Sequence, residues 1–322
     1  MPPGVIRMKI IVLYNSVKSV TVGRAEDVLA DQDTVKTAEA IAQNLEADHD
    51  VSLFEIKENN VSKLKKLKPD LFFNNAFGIG NVPKSEVDLA AILEKTGVPF
   101  TGSPARAIAL TTDKTLTKQV LQSSNLPTPG ENKFPLIVKP KAEDCSLGIT
   151  EASVVANEQE LEMQVNKLKE LYSEDVMSEE YIEGRELNVT VLGNGDSAVA
   201  LPVSEIVFGR KFPGKYKIVD FDAKWEEKTE SFKETNGVCP ANLSQDILKE
   251  VNRVAKVAYK ITGCRDYARV DIRLSKDNIP YILEVNANPG IGPSDGAARS
   301  ARAAGYTYPQ FLEAIVSEAL KR

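Results

Sequence analysis

The sequence contains one histidine, His49, and three cysteines, Cys145, Cys239 and Cys264, which stand far apart without a paired metal-ligand spacing. Chemistry that rests on a histidine base or a zinc cluster is therefore disfavoured, and no disulfide framework is expected. Reduced thiols are the simpler reading. His49 lies in the polar stretch Glu46-Ala47-Asp48-His49-Asp50, which reads as a solvated loop. No apolar run approaches the roughly 20 residues that span a bilayer, and the opening Met1-Pro2-Pro3-Gly4-Val5-Ile6-Arg7 lacks the continuous apolar segment of a secretory signal. A cytoplasmic protein with no membrane partner is expected. Positive charge is also short: 40 Lys and Arg against 46 Asp and Glu leave a formal charge of −6. That balance argues against a nucleic-acid-binding face, though a local basic pocket can still hold phosphate groups. Small molecules are the expected partners.

What is present is a globular composition, 42% hydrophobic and 27% charged over 322 residues, too long for one two-layer core. Two or three domains are expected. Lys9–Tyr14 is a short apolar run of the buried-strand kind, followed by a polar, acidic loop. Val35, Ala38, Ile41, Ala42 and Leu45 recur at helical spacing, with Asp33 or Thr34 as the N-cap. Residues 51–55 and 71–74 read as strands, 86–96 as a helix, and 98–102 as a strand and turn. This alternation implies a parallel sheet with helical cover. A central α+β unit follows, with helices at 115–123 and 158–171 and strands at 136–139, 176–181 and 187–192. In the last third Ile247, Leu248, Val251, Val254, Ala255 and Ala258 mark an amphipathic helix, and Phe311, Leu312, Ile315 and Val316 mark a final one. The predicted divisions are 1–104, 105–183 and 184–322.

The most informative stretch is Ala268-Arg269-Val270-Asp271-Ile272-Arg273-Leu274, a turn, and then Tyr281-Ile282-Leu283-Glu284-Val285-Asn286. It reads as a β-hairpin. Period-2 alternation sends Val270, Ile272 and Leu274 to one face and Arg269, Asp271 and Arg273 to the other. On the return strand Leu283 and Val285 are expected in the core, with Ile282, Glu284 and Asn286 opposite. Pairing Leu274 with Tyr281 places Asp271 opposite Glu284 and Arg269 opposite Asn286. Two carboxylates and an amide oxygen form a hard, oxygen-only set suited to Mg²⁺ bridging nucleotide phosphates. An isolated D-x-R strand is more often a solvated face, but this one runs on into Asn286-Ala287-Asn288-Pro289-Gly290, where a glycine can expose a backbone N–H to developing charge.

With E-x-N-x-x-P-G at 284–290, the sequence resembles the ATP-grasp superfamily, and within it the D-alanine–D-alanine ligases. The resemblance covers nearly the whole chain. It implies an ATP-grasp fold, α/β and α+β, with an N-terminal parallel-sheet domain followed by two ATP-grasp subdomains, the last bearing the metal site. By resemblance Asp271, Glu284 and Asn286 hold two Mg²⁺ ions, and Arg269 and the backbone at Gly290 stabilise the tetrahedral oxyanion. Thr112-Asp113-Lys114 resembles the start of the helix whose lysine reaches the ATP phosphates, and the strand 135–140 supplies Lys139. The loop 143–148 resembles the one that closes over phosphate and supplies Ser146. Glu179 and Ile182 match the positions that read adenine, and Glu186 matches the acid that binds the ribose. Asp220-Phe221-Asp222-Ala223-Lys224-Trp225 resembles part of a mobile lid over 209–230, whose Lys224 holds the transferring phosphate.

The substrate end departs from the family. The G-G-x-S-x-E segment, whose glutamate holds the donor ammonium, is replaced by Tyr14-Asn15-Ser16-Val17, and L-H-G by Asn74-Asn75-Ala76-Phe77-Gly78. Cys145 replaces a serine of the phosphate loop and Trp225 a tyrosine of the lid. Where the ligases carry an acceptor-binding serine the count gives Asp295, with Ser294 one residue earlier. An ionised Asp295 would repel an acceptor carboxylate, so free D-alanine is expected to be a poor acceptor and an amide or diamine a better one. The resemblance implies an ATP-dependent carboxylate–amine ligase that uses a carboxylate donor and an amine acceptor, amino acids among them, and releases ADP and phosphate. A small-molecule kinase and a non-catalytic nucleotide-binding protein are the alternatives. Donor, acceptor and oligomeric state stay open, with a homodimer compatible.

Overall fold

The computed structural model describes residues 7–16, 28–82, 84–141, 146–172 and 175–322. Its first sheet contains β1 (Lys9–Tyr14), β2 (Asp50–Glu55) and β3 (Leu71–Asn74) in the order β2-β1-β3, all parallel. The central strand β1 is covered on both faces, which is why its sequence is continuously apolar rather than alternating. Ile10 and Val12 pack against α1 (Val28–Leu45) and α10 (Tyr308–Leu320), whereas Ile11 and Leu13 pack against α2 (Glu86–Glu94) through Leu89 and Leu93. The first helix begins at Val28, ahead of the expected cap at Asp33 or Thr34. Val28-Leu29-Ala30 are helix-compatible and extend the helix upstream, leaving Thr34 inside it. The stretch expected as a strand over 98–102 contributes one parallel bridge, Phe100 to Phe72.

His49 is not solvated. It is 2% exposed, its Nε2 lies 3.0 Å from Glu313 Oε1 on α10, and its Nδ1 accepts from the Met8 N–H. The polar stretch is a turn as expected, but a helix from the far end of the sequence covers it.

Helices α3 (Ala105–Thr112) and α4 (Lys114–Ser123) lead into a small antiparallel sheet of β4 (Leu136–Pro140), β5 (Val154–Val155) and β6 (Val176–Glu180), ordered β5-β4-β6 and backed by α5 (Glu158–Tyr172). The largest sheet is antiparallel. It comprises β7 (Gly184–Leu192), β8 (Val199–Ala200), β9 (Ser204–Phe208), β10 (Thr235–Val238), β11 (Tyr267–Ser275) and β12 (Pro280–Asn286), ordered β10-β9-β7-β11-β12 with β8 on β7. Helix α8 (Gln245–Ile261) lays Val251, Val254, Ala255 and Ala258 on one face of it, against Val189, Val270 and Ile272. The other face looks across a cavity at the small sheet. Short helices α6 (Phe221–Trp225) and α7 (Glu230–Lys233) cross this opening, and α9 (Gly296–Ala303) closes its far end.

Asp266, fully buried, joins the parts. Its carboxylate accepts from the Gly102 N–H at 2.9 Å, from Asn194 at 3.1 Å and from Arg322 at 2.7 Å. Among the described residues no helix is long and apolar enough to cross a membrane.

Candidate active site

The hairpin β11–β12 sets the floor of the site. Val270, Ile272 and Leu274 are buried in the α8 core, so Arg269, Asp271 and Arg273 face the cavity. Asp271 stands opposite Glu284 and Arg269 opposite Asn286, as the alternation predicts. The pairing is not continuous, however: a bulge follows Asp271, Ile272 pairs with Ile282, and Leu274 pairs with Pro280 rather than Tyr281. The extra residue is Leu283. It lines the cavity while Ile282 enters the core, the reverse of the expected faces. A bulge re-aims side chains in this way, here setting an apolar Leu283 beside an acidic Glu284 on one wall.

The three proposed metal-binding side chains converge but are bonded to one another. Asp271 Oδ1 accepts from Arg269 Nε at 2.7 Å and Asn188 Nδ2 at 2.8 Å. Its Oδ2 accepts from Arg269 Nη2 at 2.7 Å and Asn286 Nδ2 at 3.0 Å. Asn286 also donates to Glu284 Oε1 at 3.2 Å. Burial raises the pKa of Asp271, opposed by Arg269. Burial would do the same to Glu284, but the positive charges of Lys114, Lys139 and Arg269 outweigh it and hold that carboxyl down at about 2. Glu284 is thus a fixed anion facing a cluster of cations. The donor chemistry fits a hard divalent cation, with the Asn286 amide turning its oxygen inward. Among the described residues no cluster of three His, Cys, Asp or Glu offers a softer alternative.

The opposite wall comes from the small sheet. Lys139 on β4 and Glu179 on β6 are nearly buried, with Lys139 Nζ 2.6 Å from Glu179 Oε1. Glu179, expected to read adenine, is held by lysines on both oxygens: Lys118 Nζ lies 3.5 Å from Oε2 and 3.1 Å from Glu131. Lys118 was not among the expected site residues. Its signal is its spacing, four residues after Lys114 on the same buried face of α4. Ile182 lines the cavity, and its carbonyl accepts from Arg273 Nε at 3.2 Å. Glu186 pairs with Arg273 Nη1 at 3.0 Å, and burial raises its pKa against the pull of that arginine. Arg273 also donates to the Tyr181 hydroxyl and to the Lys217 carbonyl, fastening the lid segment to the floor. Alternation places Arg273 on the right face, but its function as a tie depends on contacts remote in sequence.

Over 209–230 the chain is laid across the opening. Phe221 N–H donates to the Ile149 carbonyl at 3.1 Å, Lys217 N–H to the Tyr181 hydroxyl at 3.1 Å, and Ser146 Oγ to the Val219 carbonyl at 2.8 Å. Asp220 caps α6 through the Ala223 N–H at 2.9 Å, and Lys224 extends over the Trp225 ring at 5.2 Å while lining the cavity. Ser146 and Gly148 both take positive φ, 65° and 74°. A Cβ at Gly148 would also fall 2.7 Å from the Pro140 ring, so this turn requires glycine. Cys145 and the rest of 142–145, together with Val17, lie outside the described residues. Gly290 lines the end of the cavity, and a Cβ there would stand 2.6 Å from Asp295 Oδ2. All of Arg269, Asp271, Glu284, Asn286, Lys114, Lys139, Ser146, Glu179, Ile182, Glu186, Lys224 and Gly290 therefore border one cavity of about 590 Å³.

A cavity of this size between a three-stranded and a six-stranded antiparallel sheet, with an acid–amide hairpin on one wall and lysines on the other, defines an ATP-grasp protein. The family described as "D-ala D-ala ligase C-terminus" matches residues 104–317. The chain belongs to the D-alanine–D-alanine ligase family, whose class is the ATP-dependent ligases that form C–N bonds. It is 35% identical over 248 residues to a D-alanine–D-alanine ligase of Ralstonia pickettii, covering 72% of this chain and 70% of that one. It is 30% identical over 302 residues to an uncharacterized protein, y4sG, of Sinorhizobium fredii, covering 88% and 86% of the two chains. The fold matches the crystal structure of the D-alanine–D-alanine ligase from Bacillus anthracis complexed with ATP, with a TM-score of 0.75, 24% identity and 98% of each chain covered.

Proposed function

We propose that the protein joins a small carboxylic acid to a small amine, both of amino-acid class, through an acyl phosphate formed at the expense of ATP. The observation that carries this reading is the meeting, in one cavity, of Asp271 and the ionised Glu284 with Lys114, Lys139 and Arg269. A triphosphate brings negative charge that the three cations offset, and Mg²⁺ held by Asp271, Glu284 and Asn286 would supply further charge neutralisation. Lys139 is fixed by Glu179 and so presents its charge without rearrangement. Lys224 arrives with the lid and closes over the group in transfer.

In the first step an oxygen of the donor carboxylate attacks the γ-phosphorus, the bond to the β-phosphate oxygen breaks, and ADP leaves. In the second the amine nitrogen attacks the acyl carbon, and the C–O bond to phosphate breaks with loss of one proton from nitrogen. Arg269, oriented by its two bonds to Asp271, and the backbone at Gly290 offset the negative charge on the tetrahedral oxygen between those events. The docked lid excludes water, which would hydrolyse the acyl phosphate. The experiment is to incubate the protein with ATP, Mg²⁺ and paired amino acids, following ADP release and product mass. ADP release that requires both substrates and yields an amide supports the reading; a phosphorylated substrate would replace it with a kinase.

A further inference from the structure

At the substrate end of the cavity one cation has no part in the reading above. Arg299 lies on α9 four residues after Asp295, so the two share a helix face. Helical side chains lean toward the N-terminus. The Arg299 guanidinium accordingly hangs beside the first turn, with Nη2 3.5 Å from the position of a Cβ on Gly296. Its Nε donates to Ser204 Oγ on β9 at 3.0 Å, and among the described residues Nη1 and Nη2 have no hydrogen bond and no ion-pair partner. Both the arginine and its neighbour Asp295 line the cavity. Burial, with Arg302 and Arg269 nearby, lowers its pKa, opposed by Cys239 and Asp295; a guanidinium stays charged through such a shift.

Asp295 borders the same cavity, but one of its carboxylate oxygens is engaged by its own loop. Its Oδ2 accepts from the Gly292 N–H at 2.7 Å and packs against Gly290, so it braces the turn that follows Pro289. Directly against the guanidinium, Gly237 on β10 makes room for the arginine: a Cβ there would fall 2.2 Å from Cζ, 2.4 Å from Nη1 and 2.5 Å from Nη2. No positive φ calls for glycine at 237, so the space is the reason. The part it would strike is the end of a flexible side chain, and a substitution would displace the guanidinium while leaving the strand in place.

We infer that Arg299 is the specificity residue of the acceptor site, its free Nη1–Nη2 edge receiving a carboxylate carried by the amine substrate. The acceptor class is then a free amino acid rather than the amide or diamine expected when Asp295 is read alone. This rests on the ligase reading. Two parallel N–H···O bonds from a guanidinium favour a carboxylate and leave a carboxamide with a mismatched N–H₂.

The test compares matched acceptors, each amino acid beside its primary amide, in wild type, Arg299→Met, Arg299→Lys and Gly237→Val. Thermal stabilisation by ATP and Mg²⁺ verifies that each variant is folded. Wild type should prefer the acids, and Arg299→Met should raise their KM roughly ten- to hundred-fold with little change for the amides. Arg299→Lys should recover part of the preference, and Gly237→Val should lose it with the arginine still present. Equal use of acids and amides by wild type, or an unchanged preference in Arg299→Met, would overturn the assignment alone. Formation of ADP without any amide product, whatever the acceptor, would overturn the ligase reading and this inference with it.

Discussion

Lys139 Nζ stands 2.6 Å from Glu179 Oε1, with the two side chains only 8% and 3% exposed, and Lys118 approaches the other carboxylate oxygen at 3.5 Å. One buried anion thus fixes two buried cations on the cavity wall opposite the hairpin. Glu179→Gln leaves both lysines without their shared charge. The expected loss is about 3–5 kcal/mol of folding stability, read from denaturant unfolding, together with weaker ATP binding. Wild-type stability in this variant would show that the pair is not a structural element of the site.

Lys139 and Lys224 differ in how they are held, one on a strand and the other on a short helix of the lid. Lys139→Ala should chiefly raise the KM for ATP, whereas Lys224→Ala should chiefly lower kcat. Steady-state kinetics with ATP as the varied substrate separates the two. Equal changes of both parameters in both variants would remove the distinction between a fixed and an arriving cation.

Glu284→Gln and Asp271→Asn should each abolish ADP formation in a folded protein. Asp271→Asn additionally releases Arg269, which is bound through both of its carboxylate oxygens. A pH signature accompanies the Glu284 change. Burial opposes the charged form, but Lys114, Lys139 and Arg269 bring the folded-state pKa to about 2, below the ordinary carboxylate range. The resulting stabilisation is present above the unfolded pKa and is lost as pH falls toward 2. Unfolding midpoints of Glu284→Gln should therefore fall less than those of wild type over that acidic window.

Asp266 lies outside the cavity, and its loss should act on stability. Asp266→Ala removes the acceptor for Gly102, Asn194 and Arg322 and leaves the arginine without its ion-pair partner. A loss of about 3–5 kcal/mol is expected, with the KM for ATP little changed. A large change in that KM at unchanged stability would relocate the residue's influence to the site.

The parts of the site legible in the sequence are those that depend on local periodicity. Arg269, Asp271, Glu284 and Asn286 are placed by alternation and a turn, because a pleated pair leaves few choices once one face is apolar. Leu283 escaped because Ile282-Leu283 are both apolar, and either can enter the core when a bulge absorbs the extra residue. Lys118 was within reach from its spacing to Lys114. Arg299 and His49 were not, since each is defined by a partner on another element, Ser204 for the one and Glu313 for the other. Asp295 shows the same limit. Its position matched the family's serine by count, yet the Gly292 N–H decides where its carboxylate points.

The most direct test follows oxygen. With a donor labelled by oxygen-18 in its carboxylate, an acyl phosphate route passes one labelled atom into the inorganic phosphate for every amide formed, because the C–O bond to phosphate breaks when nitrogen attacks. Mass analysis of the released phosphate should show that single label in wild type. Unlabelled phosphate formed together with amide product would contradict the account.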